Sequence, residues 1–202
     1  MAREQRIYLL RHGSTEWSQD GRHTSRTDLP LTPGGEQQAR RVGPLLTALA
    51  DGPAEVLVSP RVRARRTAEL AGLTGPRTEH RLIEWDYGDY EGLTTPAIRE
   101  QVPGWTVWTH PCPGGETAAD VAYRADDLLA ELRQNGSDAV LVGHGHFSRV
   151  LVARWLGLPA TAGVHFALDA AGITVLGHER GTPQLVRGNV PASTTETLKE
   201  RP

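Results

Sequence analysis

Ile7-Tyr8-Leu9-Leu10-Arg11-His12-Gly13 is a short apolar run that stops in a guanidinium, an imidazole and a glycine. Four successive apolar residues with polar flanks read as a strand buried on both faces. Two more such runs follow, Glu55–Val58 and residues 139–142. The second leads through Ser59 toward Arg63, and the third into Gly143-His144-Gly145. Closing strands are expected at residues 173–176 and 184–186.

Between these runs the apolar spacing changes to the helical period. Thr32-Pro33 reads as an N-cap with proline in the first turn, followed by Ala39, Val42, Leu46 and Leu49 on one face. Pro44 is expected to kink or divide that helix. Ser59-Pro60 reads as another cap-plus-proline start, for a helix carrying Arg63, Arg65, Arg66 and Leu70. Ala118, Val121, Ala125, Leu128 and Leu132 form a third stripe, opened by a Thr117/Asp120 capping box and ended by Asn135-Gly136. Phe147, Leu151 and Trp155 continue as a helix after the third strand. Strands alternating with helices predict an α/β sandwich with a mostly parallel sheet. A single domain over residues 1–190 is expected, and residues 191–202 as a flexible tail beginning near Asn189.

Composition narrows the function. The 202 residues are 38% hydrophobic and 23% charged, with a formal net charge of −2. No basic face for nucleic acid is expected from that balance. Arginine supplies all the cationic side chains but Lys199, which reads chiefly as coding bias. Cys112 is the only cysteine, so an internal disulfide and a multi-cysteine zinc site are excluded. The polar start Met1-Ala2-Arg3-Glu4-Gln5-Arg6, with no apolar run of membrane length, predicts a cytoplasmic protein without membrane association. Metal-ligand spacings are lacking, and His144-Gly145-His146 in a turn is a poor metal pair. No cofactor is expected.

In α/β sheets, ligands bind beyond the carboxyl ends of the strands. Arg11, His12, Arg63 and His144 would therefore share one cleft, although they are far apart in sequence. Guanidinium groups hold phosphoryl oxygens bidentately, and a neutral imidazole is a nucleophile toward phosphorus. The arginines would favour neutral His12. Glu84, in the semi-apolar Leu82-Ile83-Glu84-Trp85, is the candidate acid, with burial expected to keep it protonated and to give an acid-side pH optimum. Gly13 and Gly145 would let backbone N–H groups approach the phosphate. Taken singly these signals are weak, because Arg-His-Gly recurs by accident and a buried histidine such as His144 commonly serves packing. Arg65 and Arg66 read as a solvated helix face. Asp86 and Glu91 read as loop carboxylates. His80, His110, His165 and His178 read as surface or core residues.

Together the motifs resemble the histidine phosphatase superfamily, also called phosphoglycerate mutase-like. Leu9-Leu10-Arg11-His12-Gly13-Ser14-Thr15-Glu16-Trp17 is similar to its signature. So are Leu29-Pro30-Leu31-Thr32-Pro33-Gly34-Gly35 and the arginine motif from Ser59 to Ala68. Glu84 ahead of Tyr87-Gly88-Asp89-Tyr90-Glu91-Gly92, and Val142-Gly143-His144-Gly145, complete the order. The resemblance implies catalysis by Arg11, His12, Arg63, Glu84 and His144, with the second histidine donating to the phosphoryl group. It also implies a three-layer α/β/α sandwich and a small phosphorylated metabolite as partner, and leaves room for a homodimer. Ser18 stands where the mutases carry Asn, as a candidate phosphate contact. The mutases' long insertion is absent between Gly92 and Gly115, which favours phosphatase over mutase; a binding protein for phosphorylated partners is the third reading. The text around Glu84, Trp105 and Phe147 resembles sedoheptulose-1,7-bisphosphatase and actinobacterial acid phosphatases. That implies sugar phosphates as substrates and a pocket lined by Thr24, Ser25, Tyr87 and His146, although packing or turn formation serves Ser25 equally well.

Overall fold

The computed structural model describes residues 4–50, 52 and 54–192. The chain builds a six-stranded sheet from β1 (Ile7–Arg11), β2 (Glu55–Val58), β3 (Arg77–Thr78), β4 (Ala139–Gly143), β5 (Ile173–Glu179) and β6 (Thr182–Val190). Their order is β3-β2-β4-β1-β5-β6; β1, β2, β3 and β4 are parallel, while β5 runs antiparallel to both β1 and β6.

Alternation within β1 decides the layers, because successive side chains of a strand face opposite ways. Ile7 and Leu9 point into one apolar core, Tyr8 and Leu10 into the other. The second core is covered by α2 (Pro33–Leu49) and α3 (Val62–Leu70), through Val42, Leu46, Ala64 and Ala68. The first is covered by α5 (Ala118–Asn135) and α6 (Gly145–Trp155), through Val121, Leu128, Phe147 and Leu151. Each of the buried Val, Leu and Phe side chains among these contributes about 1.5–3 kcal/mol of transfer free energy. Two short helices, α1 (Glu16–Gln19) and α4 (Thr95–Gln101), lie in the connections.

Several local expectations are corrected. The helix through Pro44 is neither divided nor ended there. Pro44 and Arg40 are both exposed, so the carbonyl that loses its partner faces water. Ser59 caps no helix: the N-cap of α3 is Arg61, without a side-chain cap bond, and Ser59 is engaged elsewhere. Asn189 is not the start of a tail. It lies in β6, where its side chain bonds Asp169 through both the backbone N–H and Oδ2. Of the tail expected at 191–202, residues 193–202 lie outside the described residues.

Candidate active site

The carboxyl ends of β1, β2 and β4 adjoin, since β4 pairs with both the others. Arg11, His12, Ser59 and His144 are thereby gathered at one edge of the sheet, and the first turns of α3 and α6 add Arg63, Gly145 and His146. The cleft above them holds about 290 Å³. Its walls include Arg11, His12, Ser18, Thr24, Glu84, Tyr87, Gly145 and His146. Arg63 and His144 are fully buried behind that wall. Ser25 does not line the cleft.

His12 follows β1 with its backbone fixed by an N–H bond to the Gly143 carbonyl. Its Nδ1 lies 2.7 Å from the Gly13 carbonyl oxygen. A carbonyl only accepts, so Nδ1 carries the ring proton and Nε2 keeps its lone pair. Burial first, then the charges of Arg63 and Arg11, hold its pKa well below that of free histidine; the Gly13 bond opposes them weakly. The ring is neutral and held in one orientation. Gly13 is required at this turn: a Cβ would lie 2.3 Å from the Gly35 carbonyl oxygen, where α2 starts.

Arg63 is wedged under His12. Nη1 donates to the Thr27 carbonyl at 3.0 Å, Nη2 to that of Thr24 at 3.2 Å, and Nε approaches Nδ1 of His144 at 3.3 Å. The His12 and His144 rings meet edge to face with centroids 5.2 Å apart. Arg11 Nη1 donates to the Leu168 carbonyl at 2.8 Å, so a loop 157 residues onward aims the first arginine.

Glu84 is buried, but by hydrogen-bond donors rather than by an apolar sleeve, contrary to the expectation from its neighbours. Oε1 accepts the backbone N–H of Trp85 at 2.9 Å and of Phe147 at 2.7 Å; Oε2 accepts that of His146 at 3.0 Å. The positive end of α6 is thus spent on a carboxylate of the protein, not held open for phosphate. Oε1 thus accepts two N–H groups, while Oε2, on the side of Gly145, accepts one.

The other expected residues divide. Tyr87 Oη and His146 Nδ1 lie 2.6 Å apart, forming one wall with the ring of His23. Ser18 uses its hydroxyl in the capping box of α1, donating to the Thr15 carbonyl and accepting its N–H. Thr24 donates to the Arg22 carbonyl at 3.1 Å. Ser25 donates to the Glu84 carbonyl at 3.1 Å, a positioning contact.

Sequence reading missed four groups. Glu91, read as a loop carboxylate, accepts the N–H groups of Ser25 and Thr27 and so clamps the loop whose carbonyls seat Arg63. Thr67 accepts the Gly13 N–H at 3.0 Å. Arg22 and Arg149 add two guanidiniums to the cleft. Nothing in local sequence marks them, since their role depends on where the chain returns. Among the described residues, no three His, Cys, Asp or Glu side chains gather as a metal would need, and no helix is long and apolar enough to cross a membrane.

The pattern of the histidine phosphatase superfamily (branch 1) matches residues 7–191. The chain belongs to that superfamily. The phosphatase is 49% identical over 185 residues to an acid phosphatase of Mycobacterium tuberculosis, covering 91% of each chain. It is 35% identical over 185 residues to sedoheptulose 1,7-bisphosphatase of Saccharomyces cerevisiae, covering 76% of this chain and 68% of that one. The solved structure of an open reading frame product from Mycobacterium tuberculosis superposes with a TM-score of 0.92 at 47% identity, covering 95% of this chain and all of the other.

Proposed function

We propose that this phosphatase hydrolyses small phosphate monoesters, sugar phosphates above all, through a phosphohistidine on Nε2 of His12. The observation that carries the reading is the His12–Gly13 bond: it fixes the tautomer, so the free lone pair sits on Nε2 of a ring that lines the cleft. Nε2 attacks phosphorus and the P–O ester bond breaks. Oε2 of protonated Glu84 gives its proton to the departing alkoxide. Glu84 then takes a proton from water, the oxygen of that water attacks phosphorus, and the P–N bond breaks, restoring His12. Arg11 and Arg63 hold the charge spread over the equatorial oxygens.

The cleft wall of Ser18, Thr24, Tyr87, Gly145 and His146 is polar, which suits a hydroxylated leaving group. Arg22 and Arg149 in the same cleft favour substrates with a second anionic group. The short connection from Gly92 to Gly115 favours water over a second substrate hydroxyl as acceptor, and so hydrolysis over a mutase reaction.

Trapping with radiolabelled sugar phosphate, quenched in alkaline denaturant, tests the mechanism. An acid-labile, base-stable adduct is expected in the parent and none in His12→Ala; normal turnover by His12→Ala would overturn it. Phosphate release across sugar mono- and bisphosphates ranks the substrates. Conversion of 3-phosphoglycerate to 2-phosphoglycerate without free phosphate would instead establish the mutase reading.

A further inference from the structure

His144 stands directly behind the nucleophile with both ring nitrogens engaged. Nε2 lies 2.8 Å from Ser59 Oγ, and Nδ1 lies 3.3 Å from Arg63 Nε. All three side chains are fully buried. Burial, reinforced by the Arg63 charge, holds the His144 pKa well below its ordinary value, so the ring is neutral and has one proton for two nitrogens. The Nε of arginine always carries a hydrogen. In the observed geometry Nδ1 therefore accepts, and the ring proton rests on Nε2, donating to Ser59.

That form has nothing to donate toward a phosphoryl oxygen from Nδ1. The other tautomer does, but its Nε2 then needs a donor of its own, since an unpartnered buried acceptor is costly. Ser59 is within reach, and a hydroxyl works in either direction. Its other contact, from the Arg61 N–H, is long at 3.5 Å, and it caps no helix. The short bond to His144 is the principal use of this hydroxyl.

Building on the phosphohistidine reading, we infer that Ser59 is a positioning residue that lets His144 switch tautomer. Ser59 accepts from Nε2 while Nδ1 takes the Arg63 N–H. It donates to Nε2 once a phosphoryl oxygen draws the protons of Nδ1 and of Arg63 Nε together. The two forms are isomers, each with one ring proton and one hydroxyl proton, so phosphoryl binding shifts a tautomeric equilibrium with no net proton taken up or lost. A carboxylate at position 59 would lock the first form, and a methyl group would support neither.

Steady-state kinetics of Ser59→Ala and Ser59→Thr, with histidine side-chain 15N NMR of the parent and both variants with and without inorganic phosphate, test the inference. In the parent, phosphate should move the His144 proton from Nε2 to Nδ1. Ser59→Ala should lose about 10- to 100-fold in kcat with KM changed less than threefold, the scale seen when a partner that orients a functional group is removed. Its His144 signal should not switch cleanly. Ser59→Thr, which keeps the hydroxyl, should recover kcat to within a few-fold. Parent-like kcat in Ser59→Ala, or a His144 tautomer unmoved by phosphate in the parent, overturns the inference. So does a folded Ser59→Thr as slow as Ser59→Ala, which would make the effect one of packing. These failures leave the His12 adduct in place, whereas failure of the phosphohistidine reading removes the adduct from the parent itself.

Discussion

Oε1 of Glu84 lies 2.7 Å from the backbone nitrogen of Phe147, so the carboxylate rides on the first turn of the helix that also presents Gly145 and His146 to the cleft. Glu84 and the β4–α6 turn are one mechanical unit, joined across 63 residues of sequence. The position of the carboxylate depends on α6, and under the proposed mechanism Oε2 is the oxygen that gives up a proton. Several consequences can be measured.

Glu84→Gln keeps an oxygen for two of the three N–H groups but has no acidic proton. Turnover of alkyl phosphates should fall by about 10²–10⁴-fold. The loss should be much smaller for p-nitrophenyl phosphate, whose leaving group needs little protonation. Equal losses for both esters would remove Glu84 from the role of acid.

The lowered pKa of His12 fixes the sign of one pH limb. Protonation blocks Nε2, so activity requires the neutral ring and is lost only as pH falls through a value well below 6.5. The kcat/KM profile should therefore show no downward limb from His12 between pH 7 and 6, leaving room for an acid-side optimum. A limb centred near 6.5 that shifts upward on Arg63→Met would contradict the assignment of His12 as a group held neutral by burial.

His23 is also buried, against Tyr87 and Trp105, and burial lowers its pKa to about 4. In the unfolded chain it titrates near 6.5. Between those values the unfolded state binds the extra proton, so stability is constant above about pH 6.5 and declines as pH falls toward 4. The His23 contribution alone is roughly 3 kcal/mol. His23→Phe keeps the ring packing and removes the titration. Its thermal midpoint should fall less than the parent's between pH 7 and 4.5, and parallel curves would refute the assignment.

Glu91 holds Ser25 and Thr27 N–H groups, and the same loop seats the Arg63 guanidinium through the Thr24 and Thr27 carbonyls. Glu91→Ala should lower kcat/KM by about 10-fold, as misplacement of a phosphoryl ligand does. Glu91→Gln retains an acceptor and should recover most of it. If Gln is as impaired as Ala, charge rather than loop geometry is what Glu91 supplies.

Comparison of these residues shows why part of the site was legible in one dimension. Arg11, His12, Arg63 and His144 each follow a strand whose apolar run is evident, and strand ends in a parallel sheet meet at one edge. Glu84 was legible through the family motif, but its environment was not. Its neighbours in sequence are apolar, whereas its neighbours in space are three backbone N–H groups, two of them from α6. Ser59 misled for a related reason. Ser-Pro before a helical stripe has the local form of a cap, and local form alone cannot show that a buried imidazole competes for the hydroxyl. Ser18 is the converse case, because its hydroxyl is claimed by its own helix start.

The amino-acid sequence by itself determined the α/β class, the order of the main strands and helices, and which side chains could carry phosphoryl chemistry. These depend on periodicity and on strand-to-helix junctions, which are local. Only the tertiary structure decided protonation and aim. The tautomer of His12 is set by the carbonyl of the adjacent Gly13 in a turn held against β4; the saturated oxygen of Glu84, the double engagement of His144 and the seating of Arg63 by a distant loop are set by hydrogen bonds between segments. Such a bond depends on a few tenths of an ångström between groups dozens of residues apart, and that distance exists only once both cores have packed.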